Sequence, residues 1–145
     1  MYRATKIFKF SAAHILESAY SKECMQYHGH NYKVEVCVAS TQLNPDGMVL
    51  DFKLLKEIVD PIINNWDHKL LVSENMKPRA SEDIVSNSGT LFVPFNPTAE
   101  NMAAHIYKKM DDELHGMLYL HAVHVKSVRV WETETCYAEC VNINI

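Results

Sequence analysis

A chain of 145 residues can bury one sizeable core, which predicts a single domain over residues 1–145 and leaves little room for a second. Hydrophobic residues make up 48% and charged residues 22%, the balance of a globular protein and not of a disordered or fibrous one. The net charge of −4 excludes the broad basic field that nucleic acid or an anionic membrane surface calls for, whereas a small phosphorylated substrate needs only a few local cations.

The chain opens Met1-Tyr2-Arg3-Ala4-Thr5-Lys6 with no apolar leader, and no apolar run approaches the ~20 residues that span a bilayer. The expectation is a cytoplasmic protein. From Tyr2 to Ala13, Ile7, Phe8 and Phe10 interleave with Lys6 and Lys9, predicting a first strand. A polar connection, Glu17 to Glu23, follows. From His30, the residues Tyr32, Val34, Val36 and Val38 alternate with Lys33, Glu35 and Cys37, predicting a half-buried second strand. Asn44-Pro45-Asp46-Gly47 is a turn, with proline fixing φ and glycine accepting a positive one.

Asp51 is a helix N-cap, followed by the apolar stripe Leu54, Leu55, Ile58, Val59, Ile62 and Ile63. Pro61 within that stripe predicts a kink or an early end. Residues 73–97, rich in Ser, Asn and Pro, predict a surface excursion with at most a short strand at Thr90 to Phe95. A second helix starts at Pro97-Thr98-Ala99-Glu100-Asn101, with Thr98 as cap and Glu100 in the positive first turn, and runs to about Leu114. Val123 to Trp131 and Tyr137 to Ile145 alternate as closing strands. The order predicts an α+β fold, ββααββ, with two helices on one face of a four-stranded antiparallel sheet.

His28-Gly29-His30 carries the first chemical signal. On an extended chain, residues two apart share a face, so both imidazoles can reach one metal ion. His14 closes the first strand, and pairing of the two strands brings it near the start of the second. Three neutral imidazoles without a fourth protein ligand make the open arrangement of a catalytic Zn²⁺; the plain alternative is three histidines on a polar strand end. Cys24 lies four residues before His28. A nearby dication favours its thiolate, so it is either a base beside the metal or the fourth ligand of a closed site. Cys37, Cys136 and Cys140 form no CxxC pair with it or with each other and read as small buried hydrophobes in a reducing compartment.

Asp67-His68 follows the first helix. On a strand, adjacent side chains diverge, so the two are not expected to bond to each other, though each can orient or relay protons for a third group. The alternative is a helix-end histidine favoured by the dipole. Glu132 closes Val128-Arg129-Val130-Trp131-Glu132-Thr133, where a carboxylate is either solvated or grips an amidine-like ring edge through paired hydrogen bonds.

In order along nearly the whole chain stand Phe10-Ser11-Ala12-Ala13-His14, Cys24-x-x-x-His28-Gly29-His30-Asn31-Tyr32, Asp51-Phe52, Asp67-His68-Lys69-Leu70-Leu71, Pro97-Thr98-Ala99-Glu100-Asn101 and Trp131-Glu132-Thr133. In this set the chain resembles the 6-pyruvoyltetrahydropterin synthase family. The three residues between Cys24 and the His-Gly-His resemble its bacterial carboxytetrahydropterin synthase branch, active in queuosine biosynthesis. Another branch places a Glu where Met25 and Gln26 stand here, although Glu23 is nearby.

The resemblance implies a tunnelling fold in a ring-built homo-oligomer, commonly a hexamer, with active sites between subunits. It implies one Zn²⁺ per subunit on His14, His28 and His30, and 7,8-dihydroneopterin triphosphate as substrate. Cys24 would be the base, with Asp67 and His68 as proton relay. Glu132 would anchor the pterin, with Thr98 and Glu100 in the substrate-binding set. Triphosphate elimination alone, or a non-catalytic zinc- or pterin-binding protein, are the competing readings.

Overall fold

The computed structural model describes residues 1–120 and 122–144. Strand β1 (Tyr2–His14) pairs antiparallel with β2 (His28–Ser40) along its whole length, from Tyr2 opposite Ser40 to His14 opposite His28. Strand β5 (Val123–Trp131) adds to the far side of β2, and β6 (Tyr137–Val141) adds to β5, both antiparallel. The strand expected to reach Ile145 ends at Val141 within the described residues; Ile145 itself lies outside them.

The expected four strands become six. Leu70–Ser73 forms β3, parallel to β1, and Thr90–Val93 forms β4, parallel to β3, giving the order β4-β3-β1-β2-β5-β6. Residues 73–97 are therefore largely a crossover between two parallel strands. A 3-10 stretch (Glu74–Arg79) and the short helix α2 (Glu82–Ser86) fill the connection that such a pairing requires.

Helix α1 (Phe52–Trp66) starts where Asp51 accepts the Lys53 backbone N–H at 2.7 Å. It continues unbroken past Pro61 to Trp66, so the proline does not end it. Pro61 and Glu57, the residue whose carbonyl loses a partner to the proline, are both exposed, so water can take up that carbonyl. Helix α3 (Ala99–Gly116) is capped by the Thr98 hydroxyl, which accepts from Asn101 N–H at 3.2 Å.

Leu55, Val59, Ile63 and Trp66 of α1 and Met102, Ala103, Ile106, Met110 and Leu114 of α3 are buried against one face of the sheet. That face is supplied by Phe8, Phe10 and Ala12 of β1 and Tyr32, Val34, Val36 and Val38 of β2. A register step between Cys37 and Val38 lets Val123, Val125, Val128 and Val130 of β5 all reach the same core. Asp51→Ala should lower unfolding free energy by about 0.5–2 kcal/mol in urea titration, since it removes only the α1 cap.

Candidate metal centre and active site

The parity that buries the sheet also makes the site. Phe8, Phe10 and Ala12 face the helices, and His14 continues their row; Tyr32 and Val34 face them too, and His30 and His28 continue that row backwards. His14 stands directly opposite His28, and His30 opposite Ala12. The core stripe of both strands thus ends in imidazoles. Ring centroids lie 4.3 Å apart for His14–His28, 5.2 Å for His14–His30 and 5.1 Å for His28–His30. One ligand nitrogen from each lies within 4.8 Å of the others. A Cβ at Gly29 would sit 3.3 Å from the Ala12 carbonyl oxygen, so a larger residue would press β2 away from β1 between the two ligands.

The tautomers follow from the partners. His14 Nδ1 lies 2.7 Å from the Pro97 carbonyl, and His28 Nδ1 lies 2.8 Å from the Gln26 carbonyl. A carbonyl oxygen only accepts, so both Nδ1 atoms carry hydrogen and both Nε2 atoms present lone pairs. Those two Nε2 atoms are 2.7 Å apart. Two lone pairs at that distance repel unless a cation stands with them. A proton serves poorly, because burial, reinforced by His28 and His30, pushes His14 down to about 4. His30 is lowered as well, first by burial and then by His28, and its buried Nε2 has no hydrogen-bond partner among the described residues. Three imidazoles with converging ring nitrogens, two of them lowered by burial, fit a borderline-soft divalent cation.

Glu132 lies just past the end of β5, with Oε1 3.9 Å from His14 Nε2. Burial raises its pKa, and the nearby Glu100 carboxylate raises it further against the opposing pull of His28. Glu132 lines a cavity of about 870 Å³ with His30, Tyr32, Lys33, Asp67 and Trp131. The Thr98 hydroxyl is engaged in capping α3, while Glu100, exposed in the first turn, acts on Glu132 by charge alone. Tyr32, expected as a strand residue and part of the family motif but given no role, is buried against Phe10 with ring centroids 4.8 Å apart, its hydroxyl 3.3 Å from His14 Nδ1. Burial, and then Glu132, drive that phenol far above its ordinary range.

Asp67 and His68 do bond to each other, contrary to the expectation for neighbours on a strand. His68 has φ +58°, a left-handed turn conformation that swings both side chains to one side, and His68 Nδ1 lies 2.9 Å from Asp67 Oδ2. The other carboxylate oxygen accepts the Ser11 N–H at 2.9 Å, while His68 N–H donates to the Ser11 carbonyl at 2.6 Å. The Ser11 N–H first, and then His68, hold the Asp67 carboxyl below its usual range. The His68 ring is 81% exposed and lines a second cavity of about 510 Å³ that also touches His30.

Cys24 sits in a 3-10 turn (Lys22–Met25), and its sulphur lies outside the three-histidine ligand group. It lines neither cavity. A single chain therefore gathers His14, His28 and His30 with Glu132 beside His14; Asp67 shares the larger cavity with His30 and Glu132, His68 shares the smaller one with His30, and Cys24 lines neither.

A family profile described as 6-pyruvoyl tetrahydropterin synthase matches residues 3–142. A Rickettsia conorii protein named 6-carboxy-5,6,7,8-tetrahydropterin synthase is 30% identical over 143 residues, covering 96% of this chain and 99% of that one. A Haemophilus influenzae protein of the same name is 32% identical over 147 residues, covering 96% and 98%. Among solved structures, an uncharacterized protein from Wolinella succinogenes superposes with a TM-score of 0.79 at 22% identity, covering 97% of this chain and 98% of that one. A 6-pyruvoyl tetrahydropterin synthase from Plasmodium vivax does so with 0.74 at 21%, covering 98% and 99%. At those identities the superpositions establish the fold.

A histidine whose folded pKa lies below its unfolded value withdraws stability as the unfolded chain takes up the proton first. For metal-free protein, stability should be fully present above pH 6.5 and decline as pH falls from there towards about 4, where His14 titrates in the fold. Urea titrations across that range should show the decline in the parent and a shallower one in His14→Asn.

Proposed function

Because the chain belongs to the 6-pyruvoyl tetrahydropterin synthase family, we propose that it is a zinc-dependent lyase. It would convert 7,8-dihydroneopterin triphosphate, with consumption of water, to 6-carboxy-5,6,7,8-tetrahydropterin, acetaldehyde and triphosphate, in cytoplasmic queuosine biosynthesis. One observation carries this reading above the rest: three imidazoles converge with no fourth ligand group among the described residues, and a carboxylate stands 3.9 Å from one of them. The names borne by relatives near 30% identity over almost the full chain support the carboxy product.

His14, His28 and His30 would hold the metal, whose Lewis acidity acidifies the hydroxyls and adjoining C–H bonds of the substrate side chain. Glu132 would accept the two parallel N–H bonds of the 2-amino-pyrimidinone edge and fix the ring. Cys24 would take the carbon-bound proton onto its sulphur. His68 would exchange protons with the side-chain oxygens, with Asp67 fixing its Nδ1–H and leaving Nε2 to act. The strained backbone at His68 supports a functional assignment, since a non-glycine residue at positive φ persists only where the surroundings enforce it.

Cys24 lines neither cavity that touches His30, and the His68 side chain is 81% exposed, which supports an active site completed by neighbouring subunits. Sheet edges at β4 and β6 offer the means, because an unpaired edge is protected by another chain's strand. We read residues 1–145 as one domain of such a ring, a homohexamer. Sedimentation at micromolar concentration should then show an oligomer and no monomer.

Triphosphate elimination without carbon–carbon cleavage remains the competing chemistry. Mass analysis after incubating zinc-loaded protein with 7,8-dihydroneopterin triphosphate separates the two, since only the carboxy reaction yields acetaldehyde. Absence of any triphosphate release would refute both. Cys24→Ala should keep its zinc and lose about 10²–10⁴-fold in turnover, whereas His28→Ala should lose zinc itself.

A further inference from the structure

Ser21 occupies the N-cap position of the turn that carries Cys24, with extended backbone (φ −88°, ψ 136°), yet its side chain makes no capping bond. A serine in that position ordinarily accepts a backbone N–H from the turn it opens. Here the hydroxyl is committed elsewhere: Ser21 Oγ donates to Cys24 Sγ at 3.0 Å. The turn's own backbone is held independently. Gln26 N–H closes it onto the Glu23 carbonyl at 3.0 Å, and the Cys24 carbonyl accepts Leu16 N–H at 3.2 Å.

Both ends of the loop are tied to metal-ligating histidines. Leu16 lies two residues beyond His14, and the Gln26 carbonyl accepts from His28 Nδ1. The Cys24 backbone is thus strapped at a set place relative to the cluster, and the rotamer of its sulphur is the remaining freedom. The Ser21 hydroxyl is the group that bonds to it.

We propose that Ser21 is the positioning residue for the Cys24 thiol, aiming Sγ and stabilising the thiolate by a donated O–H bond. The inference rests on the reading of Cys24 as base. In the proton transfer the substrate C–H bond breaks and an S–H bond forms on Cys24. Ser21 keeps its own proton throughout and only donates a hydrogen bond, which weakens as the sulphur is neutralised. A hydrogen bond to a charged acceptor is of the strength to change rates by roughly tenfold or more.

The test uses zinc-loaded full-length protein with Ser21→Ala and Ser21→Thr. Iodoacetamide labelling of Cys24 at neutral pH is followed by mass spectrometry beside kcat, KM and zinc content. Ser21→Ala should slow labelling and lower kcat by roughly tenfold, with KM and zinc content unchanged, and Ser21→Thr, which restores the hydroxyl, should recover most of both. Unchanged labelling and kcat in Ser21→Ala would overturn the inference. Slowed labelling with full kcat would instead overturn the reading of Cys24 as base. Loss of zinc in Ser21→Ala, unrescued by Ser21→Thr, would make Ser21 a structural residue of the loop and also overturn the inference.

Discussion

The whole site depends on the register of β1 against β2. Side chains alternate along a strand, so a slip of one residue would send every inward residue of one strand to the opposite face. Phe8, Phe10, Tyr32, Val34, Val36 and Val38 forbid that slip, because each would leave the core under the two helices for the open side of the sheet. The same register sets His14 opposite His28, and His30 opposite Ala12 two pairs further in. The metal centre is thus the last rung of a hydrophobic ladder. Its precision is inherited from the core and not from a loop, which is where a site demanding convergent lone pairs is best placed.

Placing imidazoles at that rung sets their chemistry. Burial keeps His14 neutral, and carbonyls from Pro97 and Gln26 choose the tautomers that turn both Nε2 atoms inward. Those carbonyls come from opposite sides: Pro97 opens the approach to α3, and Gln26 ends the loop before β2. Without a cation, the close Nε2 pair and the orphaned His30 Nε2 are unfavourable. A metal ion held there would relieve both, so binding it would also stabilise the fold. Glu132 adds negative charge beside the cluster, which draws a cation in and can still turn to a ligand.

Much of this was legible in the residues and their spacing. His28-Gly29-His30 shares a face by parity, His14 ends a strand that had to pair with theirs, and Asp51 and Thr98 are caps whose side chains do accept backbone N–H groups. The short strand expected from Thr90 is β4, but β3 and the parallel pairing of the two were not legible. Each is four residues long, too short for a period to be told apart from any apolar cluster, and their pairing is decided by contacts far apart in sequence. Pro61 misled in the opposite direction, since a proline on an exposed helix face leaves its orphaned carbonyl to water. Ser21 lies unremarked in the polar connection Glu17 to Glu23, and only the geometry reveals that its hydroxyl turns to sulphur.

The Asp67–His68 pair shows how a backbone outlier and a side-chain bond explain each other. His68 stands just beyond the end of α1, in the left-handed position that glycine or asparagine fills at most helix ends. A histidine there carries a cost of order 1 kcal/mol that glycine would avoid. Three bonds to neighbours hold it: Asp67 to the Ser11 N–H, His68 N–H to the Ser11 carbonyl, and the His68 ring to Asp67. Two of them end on Ser11, whose neighbour Ala12 pairs with His30. The pair is therefore anchored to the strand that carries His14, while its ring, largely exposed, lines a cavity that also touches His30. A ring held so firmly at its base and left so exposed at its tip is open to a group from outside its own chain. That is the arrangement required if a histidine on one subunit is to serve the metal of another.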